Sequence, residues 1–358
     1  MASPTSALHE LGQSLWIDNI TRKMLDEGGL LRYIDDCAIT GLTSNPSIFD
    51  NAIESGYYDE AIREKGAAGL VGEDLFFELA IEDLRRAADQ FLPVHERTDG
   101  VDGWVSLEVS PELAYDAQAT TRAATALHAK AGRPNLFIKI PGTAEGLPAV
   151  TASIAAGVPV NVTLLFDADH YRAAADAYLT GIEQRIAAGL DPKVTSVASV
   201  FMSRWDKAVA DRIPDDLRDA LALAVGGDIY RAYRELLDSD RMQRLESAGA
   251  RPQRLLWAST STKDPSAPDT LYVAGLAAPN TINTMPDSTV EAFRDHGVVG
   301  EPMSPDGGDC DAVLARFAAA GIEVKALAAT LQSDGTDAFV KSWRNLIARI
   351  ESQRQSVA

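Results

Sequence analysis

The chain has 358 residues, 46% hydrophobic and 24% charged, values that fit a folded soluble protein and exclude wholesale disorder. Its 33 basic and 52 acidic side chains leave a net charge of −19, so neither nucleic acid nor an anionic membrane is an expected partner. Any phosphate it binds must be met by a few local cations or by helix N-termini.

Short apolar runs at residues 14–18, 39–43, 104–108, 136–140, 160–164, 194–199, 254–259 and 281–284 read as strands. Between them lie segments of helical period, such as 73–90, 114–131, 168–187 and 214–248. This alternation predicts βα units and a parallel sheet. Eight strands is the number that closes a (β/α)8 TIM barrel. The alternative is an open doubly wound sheet, but no GxGxxG follows the first strand and no Walker A sequence occurs. Additional helices are expected after strand two, about two of them over residues 50–90. The tail from 306 to 358 should carry two or three more, including 338–351. No linker or shift of composition marks a boundary, so residues 1–358 read as one domain.

The two cysteines, Cys37 and Cys310, cannot build a disulfide framework, and no CxxC is present. Cys37 reads as a buried apolar residue. The N-terminus has neither the basic nor the apolar region of a signal peptide. No apolar run reaches the roughly 18 residues of a membrane span. The expected location is cytoplasmic. His9, His95, His128, His170 and His296 show no HxxxH or HExxH spacing, and surface roles without a metal are expected.

In a barrel, the C-terminal ends of the strands deliver side chains to one mouth. Read that way, the chain offers Asp18, Thr43, Asn45, Glu108, Lys139, Asn161, Thr163 and Ser199, with Lys263 beyond strand seven. Lys139, one of nine lysines, sits in the apolar run Leu136-Phe137-Ile138-Lys139-Ile140-Pro141. Burial disfavours a lysine's charged form, and a neutral amine can form a Schiff base with a ketone. A lysine at a strand end also pairs with a carboxylate or snorkels to solvent. Asp18 and Glu108 are candidate proton carriers for such chemistry, or else helix caps or arginine partners. Residues 41–49, GLTSNPSIF, read as strand end, turn and helix start, with Ser47 a possible cap; a structural role suffices for them. Asn161 and Thr163 alternate onto one face, the barrel interior, and need partners or a ligand there. Ser199 and Arg204, flanking Phe201, could hold a phosphate, with Lys263 a second cation.

Six motifs in order, LWIDNITR, GLTSNPSIF, VSLEVSPELAYD, LFIKIPGT, VPVNVTLLF and SVASVFMSRWD, resemble those of transaldolases, the Schiff-base transferases of the pentose phosphate pathway. The resemblance spans about Gly12 to Ala348. It implies that Lys139 forms the imine with a ketose donor and that Asp18 is the acid/base in carbon–carbon cleavage. Glu108 and Thr163 match the pair that holds the catalytic water. Asn45 and Asn161 match residues contacting the dihydroxyacetone portion. Ser199 and Arg204 match the phosphate site. Lys263 would supplement it, in a segment, WASTSTKDP, that departs from the shorter members. The implied substrates are sugar phosphates: sedoheptulose 7-phosphate or fructose 6-phosphate as donor, glyceraldehyde 3-phosphate or erythrose 4-phosphate as acceptor. No cofactor or metal is implied, and the protein would be a monomer or a homodimer. A fructose-6-phosphate aldolase-like lyase is the nearest alternative. Those relatives carry an amide in place of Glu108 and a tyrosine in place of Phe201. A non-catalytic sugar-phosphate-binding barrel is a second alternative, though binding alone does not require Lys139, Asp18 and Glu108 together.

Overall fold

The computed structural model describes residues 3–357. Eight parallel strands close in chain order into a barrel. They are β1 (Ser14–Ile17), β2 (Ile39–Leu42), β3 (Trp104–Glu108), β4 (Leu136–Pro141), β5 (Val160–Leu165), β6 (Ser196–Phe201), β7 (Arg254–Ala258) and β8 (Ile282–Met285). β1 pairs with β8 to complete the ring, in the register Ser14 with Ile282 through Ile17 with Met285. The (β/α)8 expectation therefore holds. β6 begins two residues later than expected because Val194 lies outside the ladder, where its carbonyl accepts the Tyr178 hydroxyl at 3.0 Å.

Helices cover the outside of the barrel, so both faces of each strand are buried and the strands read as apolar runs. Period-two alternation sends one set of side chains inward. At the N-terminal end these are large. Trp16 is fully buried, and its indole N–H donates to Asp102 Oδ1 at 2.8 Å. Thr40 donates to the other Asp102 oxygen at 2.8 Å, and Trp104 stacks on Phe137 at 4.1 Å between ring centres. Gly41 faces the Trp16 indole, and a Cβ there would lie 2.5 Å from the ring. One step above Trp16, Gly41 and Phe137 the same faces carry Asp18, Thr43 and Lys139, and two steps above Trp104 stands Glu108.

The helical additions differ in detail from the expectation. Three helices, not about two, follow β2: Pro46–Glu54, Asp59–Ala67 and Gly72–Arg97. Gly56 and Gly69, both at positive φ, separate them. The 214–248 segment is not one helix. It divides into a short 3-10 turn at Asp215–Leu217 and helices Leu221–Leu237 and Asp240–Ser247. The second helix is freshly capped, with Ser239 Oγ accepting from the Met242 N–H at 3.2 Å. The helix expected from 114 begins at Ala117, where Asp116 accepts from the Ala119 N–H at 2.9 Å. In the tail, Cys310–Ala319 precedes one continuous 33-residue helix, Val324–Ser356, which contains the expected 338–351 stretch.

This C-terminal helix lies across the three helices that follow β2. Trp343 Nε1 donates to Glu73 Oε1 at 2.7 Å, Glu351 Oε1 accepts from the Gly72 N–H at 2.6 Å, and Arg349 pairs with Asp50 and Glu54. Among the described residues, no helix is long and apolar enough to cross a membrane.

The Gly41–Trp16 contact makes the floor of the barrel intolerant of added volume. Gly41→Ala should destabilise the fold by about 1–3 kcal/mol, the usual cost of overpacking a core. Urea denaturation would show a lowered midpoint at unchanged slope; an unchanged midpoint would refute this account of the floor.

Candidate active site

A cavity of about 370 Å³ opens at the C-terminal end of the barrel. Asp18, Asn45, Lys139, Thr163, Ser199, Phe201, Arg204 and Lys263 all line it. These residues come from β4, β5, β6 and the segments after β1, β2, β6 and β7, so barrel closure brings them together. Glu108 and Asn161 sit just behind this wall, bonded to residues that form it.

Lys139 and Glu108 are each only 4% exposed. Their strands are in register, with Glu108 of β3 beside Lys139 of β4, and Nζ lies 3.4 Å from Glu108 Oε2. Nζ also donates to the Ser44 carbonyl at 3.3 Å. Burial pushes the Glu108 carboxyl up to about 7, against the pull of the Lys139 charge. The other Glu108 oxygen, Oε1, is buried and makes no hydrogen bond; the same is true of Thr163 Oγ1.

Asp18 does not cap the helix that follows β1. Thr21 does, accepting from the Met24 N–H at 3.0 Å. Asp18 instead faces the cavity, where Thr43 Oγ1 donates to Oδ1 at 2.6 Å and Asn45 Nδ2 reaches Oδ2 at 3.4 Å. Burial raises its carboxyl above the usual range, Lys139 and the Thr43 hydrogen bond pull it back, and Asp287 adds a smaller upward push. Asn45 is the cap of Pro46–Glu54: its Oδ1 accepts from the Ile48 N–H at 3.2 Å. The cap is therefore not Ser47, whose hydroxyl donates to Ser342 Oγ at 3.1 Å. Capping orients the Asn45 amide so that its N–H2 end points to Asp18.

Asn161 finds its interior partners in Ser106 and Ser199. It donates to Ser106 Oγ at 3.2 Å and accepts from Ser199 Oγ at 2.6 Å. At the other end of the cavity, the Arg204 guanidinium lies 4.8 Å above the Phe201 ring. It has no carboxylate partner among the described residues, and burial lowers its proton affinity. Lys263 is exposed, with Nζ 2.5 Å from Ser261 Oγ. Partial desolvation at the cavity edge, then the Lys207 and Arg204 charges, lower its proton affinity too. In a chain of net charge −19, this end of the cavity is a local concentration of positive charge.

The rim is strained. Leu164 at φ 61° and Ser259 at φ 55° hold left-handed conformations that cost non-glycine residues about 1–2 kcal/mol. Leu164 lies where the β5–β6 register shifts, directly after Thr163.

The sequence reading gave no role to the C-terminal helix. Ala338, Phe339 and Ser342 line the cavity, and the Phe339 ring centre is 5.5 Å from Lys139 Nζ. Thr43 and Thr284 line it as well, hydroxyl to hydroxyl at 2.7 Å. Three histidines also depart from the expected surface role, among them His170, whose Nδ1 accepts from the Phe166 N–H at 3.3 Å. His95 is partly buried, its Nδ1 3.0 Å from the Asp102 carbonyl oxygen, and His128 Nε2 is buried without a partner. Both cysteines are free and buried. Among the described residues, no group of three or more His, Cys, Asp or Glu is placed to hold a metal ion.

Glu108 gives a pH prediction of defined sign. Folded, it keeps its proton to about 7; unfolded, it loses it near the ordinary 4.5. Its contribution to stability is complete below 4.5 and is lost as pH rises through about 7. Glu108→Gln should therefore gain in melting temperature relative to the parent as pH rises from 5 to 8. A constant difference across that range would contradict the buried, raised carboxyl.

The chain matches the transaldolase/fructose-6-phosphate aldolase family over residues 15–350. It is 44% identical to a transaldolase of Parafrankia sp. over 368 aligned residues, covering 100% of both chains. It is 45% identical to transaldolases of Thermobifida fusca, covering 99% of both chains, and of Arthrobacter sp., covering 98% of this chain and 97% of the relative. Identity at this level over whole chains, on a closed eight-stranded barrel with a buried lysine at its mouth, places the protein in the transaldolase/fructose-6-phosphate aldolase family.

Proposed function

We propose that the chain is a transaldolase, transferring a dihydroxyacetone unit from a ketose phosphate to an aldose phosphate through a Schiff base on Lys139. The observation that carries this reading is the lysine amine buried beside one carboxyl and facing another, both raised by burial. The activity printed for the full-length relatives supports it.

Lys139 Nζ, as the neutral amine, attacks C2 of the ketose, and the carbonyl oxygen leaves as water. Asp18 then takes the C4 hydroxyl proton. The C3–C4 bond breaks, the aldose departs, and the iminium takes up the electrons to give an enamine. Addition of this enamine to an acceptor aldose reverses those steps, and water releases the product. Asp18 suits a proton that is taken and returned, because burial favours its acid form while the Lys139 charge and the Thr43 hydrogen bond favour its base form. Glu108 and Thr163 hold the water of imine formation and hydrolysis. Their uncommitted buried oxygens support that role.

Arg204 and Lys263 take the phosphate, the first as a bidentate fork. The Ser199 proton is already given to Asn161, so Ser199 acts by orienting the Asn161 amide toward the dihydroxyacetone hydroxyls. Asn45 contacts the same fragment. Transfer is favoured over an aldolase-like release by Glu108, a carboxyl rather than an amide, and by Phe201, whose ring carries no hydroxyl and packs under Arg204. The packing of the C-terminal helix on the three helices after β2 supports reading residues 1–358 as one domain.

Borohydride reduction in the presence of fructose 6-phosphate, followed by peptide mass spectrometry, should find a reduced dihydroxyacetone adduct on Lys139. Lys139→Met should keep the fold and lose turnover; retained turnover would remove Lys139 as the nucleophile, and an adduct on Lys263 would move the chemistry to β7. Free dihydroxyacetone should form much more slowly than sedoheptulose 7-phosphate when erythrose 4-phosphate is supplied. Comparable rates would favour the lyase reading.

A further inference from the structure

We propose that Phe339, carried by the C-terminal helix, shields the Lys139 adduct from bulk water and so sets the ratio of transfer to release. The inference rests on the Schiff-base reading above and concerns a residue to which that reading assigns nothing.

The Phe339 ring meets two side chains of the cavity. Its ring centre lies 5.5 Å from Lys139 Nζ and 6.3 Å from Phe201 in an edge-on contact. Phe201 in turn rests on Phe166 at 5.7 Å. Along the helix, Gln332, Gly335, Phe339 and Trp343 occupy one face by helical spacing. Gln332 Nε2 donates to the carbonyls of Leu164 at 2.9 Å and Gly142 at 3.2 Å, at the ends of β5 and β4. Gly335 allows the close approach: a Cβ there would lie 2.9 Å from the Arg204 guanidinium and 3.0 Å from Leu164. One turn after Phe339, Trp343 donates to Glu73 Oε1, and Ser110 donates to the same oxygen at 3.1 Å. Ser110 lies two residues beyond Glu108. Glu73 is therefore a positioning residue that ties the helix to the loop following the proton-carrying strand.

The chemistry explains why an apolar cover matters at this atom. Release from the enamine requires a proton on its nucleophilic carbon and a water at C2. The C2–N bond then breaks, Nζ leaves as the amine, and the sum is enamine plus water giving dihydroxyacetone and free Lys139. Transfer instead puts an aldehyde on that carbon and only afterwards needs the same hydrolysis at C2, so the two outcomes divide at the proton that bulk water can bring to the enamine carbon. A ring over the nitrogen limits the site to the water held by Glu108 and Thr163, and its π-face also favours the cationic iminium.

The test is the ratio of free dihydroxyacetone released to sedoheptulose 7-phosphate formed, from fructose 6-phosphate and erythrose 4-phosphate. Phe339→Ala should raise that ratio by about tenfold, a change within reach of one lost water-excluding contact. Phe339→Leu, which keeps an apolar cover, should stay within about twofold of the parent. Glu73→Ala leaves the cavity wall intact and loosens the helix; it should raise the ratio by a smaller factor, and it keeps the test open if Phe339→Ala does not fold. A purely structural role would lower both rates together. An unchanged ratio in the folded members of the Phe339→Ala and Glu73→Ala pair overturns the proposal, while the Lys139 adduct still forms in the parent. Absence of that adduct in the parent is a different failure, that of the Schiff-base reading itself.

Discussion

The contact between Lys139 and Glu108 is the constraint from which the rest of the mouth follows. Two ionisable groups are held 3.4 Å apart where each is only 4% exposed. Desolvation opposes both charges, and their mutual attraction only partly offsets it. Glu108 responds by rising to about 7. A carboxyl that titrates near neutrality beside a buried amine is a cost to the fold, and it suits chemistry that must move protons at neutral pH. Removing either partner alone would leave the other buried without compensation.

The barrel supplies the rigidity that such a contact needs. Strand register places Glu108 beside Lys139 and Lys139 beside Asn161 without help from any loop. Beneath them, Trp16, Trp104 and Phe137 fill the interior, and Asp102 ties the Trp16 indole to Thr40. The floor is filled by large side chains, whereas the mouth holds two carboxyls raised by burial, Asp18 and Glu108. Stability and chemistry are thus separated along the barrel axis.

Much of this was legible before any coordinates. Strand periodicity located all eight strands to within two residues, and the polar residues at their ends form the cavity wall or, as with Glu108 and Asn161, stand directly behind it. Lys139 stood out because an ammonium in an apolar run needs a reason. Boundaries failed where a side chain intervened: Asp116 and Ser239 start helices inside stretches whose period reads as continuous. The Asn45 cap was missed because Ser47 is an equally good capping type and only geometry selects between them. Phe339 was not legible as a site residue. In sequence it is one more apolar position on an amphipathic helix, and nothing local says that its helix crosses the barrel mouth. Glu73 was hidden for the same reason, since its partners lie 37 and 270 residues away.

That long-range closure has a consequence for how the protein is made. β1 gains its second neighbour only when β8, at residues 282–285, has been synthesised. The helix that covers Lys139 comes later still, ending at Ser356. During translation the strand ends are therefore born open, with the lysine and both carboxyls accessible to water until the final segment docks. The surroundings of Lys139 are the last part of the molecule to assemble, so a nascent or truncated chain carries that lysine without the burial that the folded protein gives it.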